Sequence, residues 1–117
     1  MDLTEAIGKH AEWKTKFRAA IDRKDAFDVA LVACDAGCEL GQWLHGEGRL
    51  QYGSIPSYRS LIAKHRDFHT EAGRIAGMIN AKRYAEAGAA IGLGEPFAKA
   101  SAEAVLAMSE LRKFVPA

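Results

Sequence analysis

Residues 56–80 read PSYRSLIAKHRDFHTEAGRIAGMIN, and the spacing of their apolar members decides the fold class. Tyr58, Leu61, Ile62, Phe68, Ala72, Ile75, Ala76 and Ile79 recur every three or four positions over about six turns, with Lys64, Arg66, Asp67 and Arg74 on the other side. That is the pattern of an amphipathic helix with one buried face. Pro56 suits the first turn, where a missing backbone N–H does no harm, and Asn80 marks the end.

Working outward, the same period returns at Leu3, Ala6, Ile7, Trp13, Phe17, Ala20 and Ile21, predicting a first helix capped by Asp2 or Thr4 and ended by the charged stretch 22–25. AFDVALVA at 26–33 fits a buried helical turn or an extended segment equally well. Leu40, Trp43 and Leu44 predict a second helix of about three turns, capped by Asp35 and stopped by Gly46 and Gly48. QYGSIPS at 51–57 reads as a turn. Beyond Asn80 a shorter helix is expected over 81–91, GLGEP breaks the chain, and Phe97, Ala104, Met108, Leu111 and Val115 mark a last helix. No strand pattern appears. The expectation is an all-α, antiparallel four-helix-bundle-like domain with an additional short helix, a single domain over 1–117.

Composition narrows the function. Sixteen Lys plus Arg against 15 Asp plus Glu in 117 residues leave a formal charge of +1, which gives no field for nucleic acid or an acidic membrane. A chain of this length can bury roughly two-thirds of its unfolded surface without disulfide support. No apolar run approaches the ~20 residues that span a bilayer, and MDLTEAIGKH lacks the layout of a signal peptide, so a cytoplasmic protein is expected. Two Cys, four His and two Trp remain to be explained.

His65 and His69 are spaced i, i+4, about 6 Å apart along one helix face, so two imidazoles can reach one metal ion. Both fall inside the apolar stripe, where an unpartnered ring nitrogen costs roughly 1 to 3 kcal/mol. His10 also takes a core position, between Ile7 and Trp13. A lone core His is usually a satisfied hydrogen-bonding residue; three of them predict a seam of nitrogen donors. Cys38, between Gly37 and Gly41, is the natural fourth ligand, since small neighbours let another helix approach. Three imidazoles and one thiolate suit tetrahedral Zn(II). Cys34 reads as a small core residue and His45 as a residue facing solvent or the bundle end. Trp13 and Trp43 read as core walls that keep water from the ligands, and Asp35 and Glu39 as candidate outer partners of Cys38.

His10-x-x-Trp13, then Cys38-Glu39-Leu40-Gly41-Gln42-Trp43-Leu44 with Gly46, then His65-Arg66-Asp67-Phe68-His69, together resemble the chemoreceptor zinc-binding domain family over about residues 3–114. The resemblance implies one Zn(II) per chain on His10, Cys38, His65 and His69. It also implies a homodimer and a regulatory role in bacterial signal transduction without catalysis, with zinc or an oxidant acting on Cys38 as input. The output would lie in a chemoreceptor or diguanylate cyclase type effector. His45 stands where the family often carries Tyr. Two rival readings are a di-iron helical bundle resembling hemerythrin or ferritin-like proteins, and a metal-free helical interaction module. The first calls for Glu-x-x-His pairs, and no Glu stands three residues before any His.

Overall fold

The computed structural model describes residues 1–116; residue 117, the last of the expected 1–117 domain, lies outside them. The elements are α1 (Leu3–Ala11), α2 (Trp13–Arg23), α3 (Val29–Ala33), a 3-10 turn (Asp35–Gly37), α4 (Glu39–His45), α5 (Glu47–Tyr52), α6 (Pro56–Asn80), α7 (Tyr84–Ala90) and α8 (Pro96–Arg112), with no strand among the described residues. The expected all-α, bundle-like class is what forms. None of these helices is long and apolar enough to cross a membrane.

The frame is α6 against α8. Lys64 reaches Glu103 at 3.2 Å, and Phe68, further along α6, packs on Phe97, further back on α8, at 5.8 Å, so the two run antiparallel. The N-terminal helices are also antiparallel to α8: Arg112 donates to the Thr4 hydroxyl at 3.3 Å, and Phe17 meets Phe97 at 5.4 Å. Phe17, Phe68 and Phe97 are almost wholly buried. Each contributes about 1.5–3 kcal/mol of transfer free energy, so this aromatic column anchors the bundle.

Local chemistry revises several expectations. The first helix is divided: Glu12 keeps near-helical dihedrals, but the hydrogen-bond register lapses there and α2 restarts at Trp13. Its end at Lys24 is a left-handed residue (φ 57°), with the N–H groups of Lys24 and Asp25 both closing on the Ala20 carbonyl. Of the undecided stretch at 26–33, Val29–Ala33 is helical and Asp28 is extended. Asp28 caps α3 by accepting from the Leu31 N–H at 3.2 Å, and Asn80 holds the approach by accepting from the Phe27 N–H (2.8 Å) and donating to its carbonyl (2.7 Å). A Cβ on Gly73 would stand 2.6 Å from that of Ala33, so glycine lets α3 press directly on α6.

The expected second helix begins later than Asp35. Asp35 opens the 3-10 turn, Cys38 is the extended N-cap, and α4 starts at Glu39. Cys34 is therefore the extended residue that ends α3, and it is exposed rather than a core residue. After Gly46 the chain resumes as α5, which takes in Gln51 and Tyr52 of the expected turn. The shorter helix starts at Tyr84 rather than 81, because Lys82 adopts a left-handed conformation (φ 63°).

Candidate metal centre

Three separate segments bring the donors together. His10 is 5% exposed on the last turn of α1, and His65 and His69 are 1% and 3% exposed on adjacent turns of α6, while Cys38 is half-buried at the start of α4. The Cys38 Sγ lies 3.3 Å from His65 Nε2, 3.6 Å from His69 Nε2 and 4.0 Å from His10 Nε2. The two α6 imidazoles approach each other at 3.1 Å between Nε2 atoms, and all four donor atoms lie within 4.8 Å of one another.

Backbone groups aim these side chains. The Nδ1–H of His10 donates to the Ala6 carbonyl at 2.8 Å, and that of His69 donates to the Val32 carbonyl at 2.9 Å. Each bond places the proton on Nδ1 and leaves the Nε2 lone pair facing the centre, the arrangement that orients and strengthens a histidine ligand. The Gly41 N–H donates to Cys38 Sγ at 3.3 Å, as an N-cap acceptor requires, and the Asp35 carbonyl lies 3.8 Å from the sulfur. A Cβ at Gly41 would fall 1.6 Å from the Asp35 carbonyl oxygen. Glycine there lets the chain's own 3-10 turn fold over α4, rather than admitting another helix as expected.

Burial, above all, sets the protonation. It lowers His10, against the Ala6 carbonyl, and lowers His69, against the Val32 carbonyl. It lowers His65 to about 3, with the neighbouring His69 and His10 adding to the effect. The Cys38 thiol is raised by burial, and the N–H groups at the start of α4 partly oppose this. At neutral pH the three imidazoles are thus neutral donors and the thiol still holds its proton.

A tetrahedral ion with bonds of about 2.0–2.1 Å to nitrogen and about 2.3 Å to sulfur needs donors about 3.3–3.6 Å apart. The α6 imidazoles and Cys38 already match within a few tenths of an ångström, and His10 stands further out, 4.0 Å from the sulfur and within 4.8 Å of the α6 nitrogens, so it must move inward to complete the shell. The donor set contains no carboxylate, which removes the footing of the di-iron reading. The model of the chemoreceptor zinc-binding domain (CZB) family matches residues 10–76, more than half of the chain and a span that contains all four donors. The chain belongs to that family. No curated protein and no solved structure matches it.

CZB domains are zinc-binding and regulatory rather than catalytic, and in this CZB domain His10, Cys38, His65 and His69 form a group that could hold a metal ion. Other expectations divide. His45 is exposed, with its Nε2 3.2 Å from the Asp35 carboxylate, so that carboxylate is engaged at the surface. Glu39 likewise pairs with Lys9 at 3.3 Å. The outer partners of the donors are instead the Ala6, Val32 and Asp35 carbonyls and the Gly41 N–H. Backbone atoms leave no residue-type signal; only Gly41, inside the Cys38–Leu44 motif, could have hinted at them. Trp13 and Trp43 are both half-buried rather than core residues, Trp13 against Phe17 at 5.2 Å and Trp43 against Tyr52 at 5.8 Å.

Proposed function

We propose that this CZB domain binds one Zn(II) per chain through His10 Nε2, Cys38 Sγ, His65 Nε2 and His69 Nε2 and serves as a zinc-responsive regulatory module in bacterial signal transduction. The observation that carries this reading is the convergence of those four atoms within 4.8 Å from three separate segments. Zinc, when bound, supplies a cross-link rather than an activated water, because four protein donors fill a tetrahedral shell. The chain's own part is to hold α1, the start of α4 and α6 at one point, with Ala6 and Val32 fixing the tautomers and Cys38 giving up its proton.

Occupancy then biases the bundle between a clamped state and a looser one, and a partner reads the difference. The partner is a protein surface: a second copy of this chain, and an effector of the chemoreceptor or diguanylate cyclase type. Cys38 is the only anionic donor, so its oxidation weakens the site and makes an oxidant a second input. Two free thiols suit a reducing, cytoplasmic setting. A competition titration against a chromogenic chelator tests the reading. The protein binds one zinc, and Cys38→Ala loses more than about a hundredfold in affinity while keeping its helicity. Equal affinity in the variant contradicts the four-donor site.

A further inference from the structure

The donors are not equally enclosed. His65 is 1% exposed and His69, against Phe68 and the Val32 carbonyl, 3%, whereas His10 and Cys38 line a cavity of about 310 Å³ that is partly open to solvent. Ala6, Trp13 and Leu40 form its apolar walls, and Lys9 and Glu39 stand at its rim. These two rim residues are the chain neighbours of His10 and Cys38. The Lys9 ammonium reaches the Glu39 carboxylate at 3.3 Å and Glu5 at 3.2 Å, tying α1 to α4 where both line the cavity.

We propose that this cavity is the route by which zinc and a small chelating ligand reach the centre while the bundle stays folded, and that the Lys9–Glu39 pair restrains its opening. The inference rests on the zinc reading above. Cys38 and His10 both line the cavity and His65 and His69 do not, so an incoming donor can engage the metal from the side of His10 and Cys38 without displacing the packed α6 pair. The alternative is loss of zinc by opening of the bundle. That path depends on global stability and is indifferent to the concentration of a trap, whereas attack through a cavity is first order in the attacking ligand. Exposed ion pairs are weak, so the restraint is modest.

The test is zinc release from the loaded protein to phenanthroline, a small neutral chelator, followed by absorbance. The route predicts a rate that rises in proportion to phenanthroline and is unchanged by urea well below the unfolding transition. Lys9→Ala and Glu39→Gln, both surface changes outside the donor set, each speed release by up to about fivefold at unaltered helicity. In metal-free protein carrying Cys34→Ser, Lys9→Ala likewise speeds alkylation of Cys38 by iodoacetamide. A release rate independent of phenanthroline and accelerated by urea overturns the route, as does indifference of both release and alkylation to Lys9→Ala. A protein that binds no zinc overturns the functional reading itself, a separate outcome read from stoichiometry.

Discussion

At the scale of single residues, the centre is a balance between desolvation and donor chemistry. Burial keeps three imidazoles neutral, with His65 lowered to about 3, and it also keeps the Cys38 thiol protonated. Zinc therefore displaces the thiol proton and almost none from the histidines. Calorimetry at pH 7 in buffers of different ionisation enthalpy should give about one proton released per zinc bound. Release of two or more would mean that the imidazoles are charged in the metal-free fold. The same shifts set the acid limb. Because the folded imidazole values lie below the ordinary 6.5, the stability they contribute is fully present above about 6.5 and is lost as pH falls towards 3. Denaturation of the metal-free protein followed by circular dichroism should show that loss, and a flat profile over this window would contradict it.

At the scale of elements, α3 decides how well His69 is aimed, since the Val32 carbonyl holds its Nδ1 and Gly73 lets α3 sit against α6. Two glycines on α6 make opposite predictions. An added Cβ at Gly73 meets Ala33 at 2.6 Å, whereas one at Gly77 meets nothing within 4 Å. Gly77→Ala should stabilise by up to about 1 kcal/mol through helix propensity. Gly73→Ala gains the same propensity but forces α3 outward, at about 1–3 kcal/mol, and should also weaken zinc binding about 10- to 100-fold as the Val32 carbonyl moves. Urea melts and zinc titrations of both variants check this; equal behaviour would remove α3 from the account. This element is also where the sequence was least legible. The helical stripes of α6 and α8 and the donor spacings could be read directly, because they repeat over many turns. AFDVALVA is too short to show a period, and Cys34 and Asp35 looked helical only because the N-cap role of Cys38 depends on a bond from the Gly41 N–H that spacing does not reveal.

At the scale of the molecule, the metal would join the start of α4 to the N-terminal helix and α6, both of which pack against α8. A ligand that binds only the folded state stabilises it by about 4 kcal/mol at a thousandfold excess over its dissociation constant. For a domain of this size that corresponds to a rise of roughly 15–30 °C in melting temperature, reversed by a chelator. Identical melting with and without zinc would instead favour a metal-free interaction module. The near-zero net charge, +1, is consistent with a partner that is a protein surface rather than a polyanion. Sedimentation with and without zinc tests whether a second copy is that partner. X-ray absorption at the zinc edge of the loaded protein reports directly on the inner shell. A four-donor site gives one sulfur at about 2.3 Å and three imidazole nitrogens at about 2.0–2.1 Å. A spectrum without sulfur, or a shell of oxygens, would contradict it.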